Sequence, residues 1–286
     1  MPPRLGLLAA SLALAGGLVG CGGGGVSRAE FVTKADGACS AGNGMLAIAA
    51  KPSNLPELAT AAGAVATSVD SQAEALRKLK APGDDTAVVA GVIDALAGVG
   101  GQARALQEAA GKTDDAATAR AANDLRGKTD NAASQAKAYG LTVCGQGLQA
   151  PVANVLEGGR TILKAAFVAR AESLCTAANR KVDALASGSS LASLARYLSA
   201  YLPIADKLFA DIKALAVPPG DDSAVADMLS AQDQALAKEK EAHAAAQRGN
   251  AAQFDRLEGE VITLVTAANA KFDAYGLRAC GTLSNF

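Results

Sequence analysis

Two pairs of cysteines constrain this chain more than any other feature. Cys39 and Cys144 lie 105 residues apart, as do Cys175 and Cys280. One constant interval therefore carries Cys39 to Cys175 and Cys144 to Cys280. Other landmarks keep that interval. Phe31 matches Phe167, Tyr139-Gly140-Leu141 matches Tyr275-Gly276-Leu277, and Cys144-Gly145 matches Cys280-Gly281. Pro82-Gly83-Asp84-Asp85 matches Pro219-Gly220-Asp221-Asp222 with a slip of one residue. The chain reads as two homologous domains, residues 27–145 and 160–286, with residues 146–159 and their Pro151 as linker. Four cysteines allow three pairings. A domain inherited as a unit closes its own bridge, which selects Cys39–Cys144 and Cys175–Cys280. In the chain-entropy model a loop of about 100 residues closed in this way stabilises by roughly 4.7 kcal/mol.

Within each domain the apolar period is helical. Leu191, Leu194, Leu198, Tyr201, Ala205, Leu208, Ile212 and Leu215 step by three and four, the seam of one helix face, with Pro203 as a point of bending. Phe254, Leu257, Val261, Leu264, Ala268, Phe272 and Tyr275 repeat the pattern. Breaks at Lys51-Pro52, Pro82-Gly83, Gly111 and Gly140, and near Gly188, Pro218-Pro219, Gly249 and Gly276, divide each domain into four helices. Short connections favour antiparallel neighbours. Ser27 with Glu30 and Asn250 with Gln253 have capping-box spacing. Gly140 and Gly276 are placed as left-handed residues ending the last helices, with Leu141 and Leu277 folding back. Gly42-Asn43-Gly44 leaves the first helix open to question beyond Ala41. No stretch alternates with period two. The expected fold is all-α, two tandem antiparallel four-helix bundles with one disulfide inside each. Abundant Ala lets such helices approach closely.

At the N-terminus, Arg4 precedes an apolar stretch from Leu5 to Leu18, and Leu18-Val19-Gly20-Cys21 closes it. Those four residues resemble the lipobox of bacterial lipoproteins. The resemblance implies that residues 1–20 are a signal peptide and that Cys21 becomes the lipidated first residue, carrying acyl chains such as palmitate. Residues 21–26 then form a Gly-rich tether. Leu5–Leu18 is too short to span a bilayer, and no other run approaches spanning length, so the chain is expected to be anchored and not spanning. Two acyl chains hold a protein on a bilayer far more firmly than one. The expected address is the outer face of the bacterial cytoplasmic membrane, where disulfides persist. The motif Phe-x7-Cys early and Tyr-Gly-Leu-x-x-Cys-Gly late is similar to one in helical lipoproteins and secreted proteins of high-GC bacteria. That family implies location and fold, and no chemistry.

Charge excludes some partners. Residues 27–145 carry 12 basic and 13 acidic residues, and residues 146–286 carry 14 and 15. No basic field is available to hold nucleic acid. The expected partners are the membrane, through Cys21, and an envelope protein, a cell-wall polymer or a small ligand.

Catalytic signatures are sparse. His243 is the only histidine, so a di-iron pair of Glu-x-x-His motifs cannot be built; a haem attachment Cys-x-x-Cys-His and zinc spacings are absent. The Gly-x-His-x-x-Glu motif of imelysin-like iron-uptake proteins is missing too. No Gly-x-Ser-x-Gly elbow occurs, and no cofactor is expected. Continuing the seam along the third helix of the second domain brings Glu239 or Lys240, then His243, towards the interior or its rim, with Glu258 near on the next helix. One reading is a protonation switch or metal ligand built on His243, Glu239 and Glu258; the other is a partly exposed histidine at a polar helix end. Asp84-Asp85 and Asp221-Asp222 lack calcium-loop spacing and suit acidic helix starts. Tyr197 and Tyr201 share one helix face, as core residues or as a groove lining. The expected function is a non-catalytic binding or interaction module. An enzyme or metal-uptake accessory using His243 and a structural spacer are the alternatives.

Overall fold

The computed structural model describes residues 25–46, 51–186 and 188–282. Leu18 to Cys21 and the signal peptide expected before Cys21 lie outside the described residues. Eight α-helices make up the described part: α1 Arg28–Leu46, α2 Leu55–Arg77, α3 Thr86–Gly111, α4 Asp115–Tyr139, α5 Gln146–Asp183, α6 Leu191–Lys213, α7 Asp222–Gln247 and α8 Ala251–Tyr275. No strand occurs among the described residues. The fold is all-α, closed by disulfides Cys39–Cys144 and Cys175–Cys280.

Local chemistry sets the helix ends. Asn54 and Ser190 accept the backbone N–H of Glu57 and Ser193 at the starts of α2 and α6 (2.9 and 3.1 Å). Asp114 and Asn250 accept from Ala117 and Gln253 at the starts of α4 and α8 (2.9 and 3.1 Å). Each such cap is worth about 1 kcal/mol. Gly140 and Gly276 end α4 and α8 at φ 102° and 101°, a backbone that a Cβ would strain. The Leu141 and Leu277 N–H groups then donate back to Ala136 and Phe272. Both leucines are buried.

The helices enclose two hydrophobic cores. The first gathers residues from Phe31 to Leu156, with Leu58, Leu76, Leu96, Leu106, Leu125 and Leu148 fully buried and Ala filling the positions between. The second runs from Phe167 to Cys280 around Leu198, Tyr201, Phe209, Met228 and Phe272. Most of the expected seam on α8 is buried, but Val265 takes the inward place expected for Leu264. The stretch 83–111 is long and apolar enough by composition to span a bilayer, which amends the expectation that no other run approaches that length. Its Val89, Val92, Leu96, Val99 and Leu106 face the first core.

Three sequence expectations change here. Residues 146–159 are not a connector but the first part of α5, and Pro151 sits within the helix. Leu148, Val152, Val155 and Leu156 are buried in the first core, so packing outweighs the hydrogen bond that proline removes. One helix therefore serves both cores. Helix α1 continues to Leu46 through Gly42; a Cβ there would meet Gln72 Cγ at 2.4 Å, so the glycine answers to a close approach of α2. Finally, the one-residue slip disappears. Helices α2, α3 and α4 start ahead of α6, α7 and α8 by the same interval that separates Cys39 from Cys175, and the aspartate at equivalent positions is Asp85 and Asp221.

Candidate functional site

A set of polar and ring contacts occurs twice, once in each unit at matching positions. Phe31 meets the Tyr139 ring edge-on at 5.9 Å, and Phe167 meets Tyr275 at 5.8 Å. Tyr139 donates its hydroxyl to Asp85 (2.9 Å), and Tyr275 donates to Asp221 (2.7 Å). Arg28 and Lys164 lie over the two tyrosine rings at 4.5 and 4.3 Å. Burial, then the neighbouring carboxylate of Asp85, pushes the Tyr139 hydroxyl up to about 12. These aspartates, read from sequence as acidic helix starts, are thus acceptors that lock the end of α4 to α3 and of α8 to α7.

The tails behind the cysteines are held in the same way. Asp36 accepts N–H groups of Thr142, Val143 and Cys144 and the Thr142 hydroxyl. Its counterpart Glu172 accepts from Ala279 (2.8 Å). Burial alone would raise the Asp36 pKa, but those hydrogen bonds together hold it below its ordinary value. Asn43 and Asn179 donate to the carbonyls of Val143 and Ala279. Contacts present in both units serve the shared fold. Those present once are where a function added to that fold belongs.

Buried polar groups without a polar counterpart include Gln72 in the first core and Gln232 and Glu239 in the second; of these three only Glu239 is a carboxyl. In the second core, α7 carries Glu239, fully buried at 0% exposure. Its equivalent in the first core is Ala103, also fully buried. Tyr201 on α6, opposite Glu239, stands where the first core has Val65, and Glu258 on α8 stands where it has Ala122. Tyr201 donates to Glu239 Oε1 across 3.4 Å, a long bond, and Glu239 Oε2 has no hydrogen-bond partner. Burial, opposed in part by the Tyr201 hydroxyl, raises the carboxyl to about 7. Glu239 lines a small cavity with Leu198, Ala242, Phe254, Glu258 and Val261. About 10 Å³ of it is open to the centre of a water-sized sphere.

The sequence-derived candidates separate on this framework. Glu239 and Glu258 come to one cavity, while Lys240 points away to Asp206 (2.7 Å). His243, one turn beyond Glu239, is half-buried and pairs its Nε2 with the Ser199 hydroxyl at 2.8 Å. Ser199 also donates to Ala195 O (2.8 Å). A hydroxyl has a single proton, so a Ser199 committed to Ala195 accepts from Nε2–H and is not activated by it. Both residues lie inside helices, where backbone N–H groups are used internally and leave none for an oxyanion. No group of three or more His, Cys, Asp or Glu placed to hold a metal occurs among the described residues. Tyr197 stacks on Tyr201 at 6.0 Å, which ties the tyrosine pair to the glutamate. Cys21 lies outside the described residues.

Sequence reasoning missed that Glu239 is the buried member of this set and that Ser199 pairs with His243. The signal for Glu239 was present: with the two cysteine pairs aligned, an acidic side chain replaces alanine at a core position. Elsewhere, a groove of about 550 Å³ lies between α4 and α5 and is lined by Arg126, Asp130, Gln149, Glu157 and Arg160 among others. It carries mixed charge and is open to solvent. No protein-family model matches the chain, and neither a curated protein nor a solved structure is similar to it.

Proposed function

We propose that this chain is a lipid-anchored binding protein of the bacterial envelope, held by an acylated Cys21 on the outer face of the cytoplasmic membrane. In this reading it consists of two tandem helical bundles, of which the first is a rigid support and the second takes a small ligand. The observation that carries the reading is Glu239 Oε2, a buried acceptor without a partner where the first core has Ala103. An isolated buried carboxylate costs several kcal/mol, and departures from packing rules concentrate at functional sites. The duplicated contacts around Tyr139 and Tyr275 supply the rigidity that a preformed site needs.

The enzyme or metal-uptake alternative built on His243 is the weaker one. Its ring nitrogen is engaged by Ser199, and no described cluster of three ligating side chains surrounds it. A pure spacer would not need the buried acid.

The test uses the full chain extracted from membranes in mild detergent. Native mass spectrometry of the wild type is expected to show a small bound species that Glu239→Gln removes and Asp70→Asn, in the first unit, does not. A wild type without any bound species, or one whose adduct survives Glu239→Gln, overturns the binding reading. Separately, labelled fatty acid is expected in the wild type and absent from Cys21→Ser; equal labelling of both refutes the anchor.

A further inference from the structure

The cavity at Glu239 has a chemistry that selects among ligands, and its size and lining restrict it further. Glu239, fully buried, supplies the free oxygen Oε2, and Glu258, part exposed, marks the side nearer solvent. The remaining lining is Leu198, Ala242, Phe254 and Val261, all apolar. The open space of about 10 Å³ holds roughly one water-sized group. Two carboxylates repel an anion. A wholly apolar guest leaves Oε2 unpaired, which sacrifices the free energy of its desolvation. A bare metal ion asks for six or more oxygens in the case of calcium, and four hydrocarbon walls offer none. An ammonium group meets every term: it is about the size of water, carries three donors and one positive charge, and brings methylenes to set against hydrocarbon.

The geometry points to a primary alkylammonium group as the ligand of this cavity, its N–H groups donating to the Glu239 and Glu258 carboxylates, with its stem leaving on the Glu258 side, nearer solvent. This inference rests on the binding reading above and names its ligand class. Tyr201 completes the arrangement by donating to Oε1, which leaves Oε2 as the oxygen without a partner. The other ionisable groups nearby are Tyr197 and Asp206 on α6 and Lys240 and His243 on α7. Lys240 is paired with Asp206, so it does not compete for Oε2. The first core, with Ala103, Val65 and Ala122 at the matching places, has no carboxylate there and binds no such group.

The experiment is titration calorimetry, with thermal unfolding in parallel, on the purified full chain at pH 8. The probes are n-butylammonium, tetramethylammonium, sodium and calcium chlorides. Butylammonium is expected to bind saturably and raise Tm, while tetramethylammonium, which has no N–H donor and is too large, does not. Glu239→Gln is expected to weaken butylammonium by about tenfold or more, as for loss of a charged hydrogen-bond partner. Glu258→Gln weakens it by a smaller factor. Ala242→Val, which narrows the cavity without changing charge, weakens it as well and serves as the second variant should either glutamine form fold poorly. Three results overturn the inference: no saturable butylammonium binding, equal binding by Glu239→Gln, or calcium binding in preference to butylammonium. If the membrane-extracted protein carries a Glu239-dependent adduct that is not an amine, the ligand class falls and the binding reading survives.

Discussion

Replacing Glu239 with glutamine isolates the energetic consequence of the buried acid, because the two side chains have nearly the same shape. In the folded chain the carboxyl is raised from its ordinary 4.5 to about 7. The native state therefore holds a proton between those values that the unfolded chain has released. Stability from this group is fully present below about pH 4.5 and is lost as pH rises through about 7. The amount is roughly 3 kcal/mol, since each pKa unit corresponds to 1.36 kcal/mol. Glutamine does not titrate, so Glu239→Gln keeps its stability across this window. Urea unfolding followed by helical circular dichroism at pH 4.5, 6, 7 and 8, disulfides intact, measures the difference between variant and wild type at each pH. Taking the difference cancels groups that titrate alike in both proteins. The variant is expected to gain on the wild type by roughly 3 kcal/mol between pH 4.5 and pH 8, on the order of 10 °C in Tm for a chain of this size. Parallel curves refute the reasoning, because they require Glu239 to ionise as easily in the core as in water.

Removing the second bridge by the double change Cys175→Ala and Cys280→Ala is expected to cost about 2–5 kcal/mol. The loss should be confined to the second core, read by hydrogen exchange as lost protection in α6–α8 with α2–α4 unchanged; equal loss in both cores counts against separable units. Asp36→Asn removes the carboxylate that accepts the N–H groups of Thr142, Val143 and Cys144. Because the Asp36 pKa is lowered in the fold, its contribution is present at neutral pH and fades as pH falls below its ordinary value of 3.8. The variant should thus be less stable than wild type at pH 7 and lose less on acidification to pH 3, as chemical unfolding at the two pH values checks. Tyr139→Phe and Tyr275→Phe each delete one hydroxyl bonded to an aspartate. Each is expected to cost about 1–2 kcal/mol, and a large inequality between them in urea unfolding contradicts the equivalence of the two units.

Cysteine spacing and helix breaks were legible because they depend on few residues acting locally. A bridge needs two cysteines at one place, and a helix end needs a cap or a left-handed glycine; Asn250 and Gly276 announce both in the letters alone. The path of α5 was not legible. Residues 146–159 with Pro151 read as a linker, yet Gly158 is packed so closely on Pro52 that a Cβ would lie 2.5 Å from its ring, and Leu148, Val152 and Val155 are buried. Tertiary burial there overrides local preference, and only the neighbour, Pro52, explains the glycine. The aspartate motif misled for a related reason. Matching letters paired Asp84 with Asp221, whereas the tyrosine hydroxyls select Asp85 and Asp221 as the equivalent acceptors.

The candidate site was half legible, and the half that was missed shows how a duplicated chain can be read. A histidine attracts notice because it is unique, and His243 drew the search to the right turn of α7. A glutamate among 28 acidic residues does not, unless the sister unit shows what that position otherwise holds. Alanine at position 103 and valine at 65 demonstrate that the fold is satisfied by hydrocarbon there, so neither Tyr201 nor Glu239 is demanded by packing. The first core has its own buried polar group, Gln72, which donates to Asn43 and Ser68, where the second has Leu208. That group lies against α1 and its amide nitrogen joins helix to helix, although its Oε1, like Glu239 Oε2, has no hydrogen-bond partner. Glu239 differs in being ionisable and in lining a cavity. Divergence between the units thus has two sorts, neutral amides within the packed cores and one ionisable group at a cavity, and the second is the one on which the binding proposal rests.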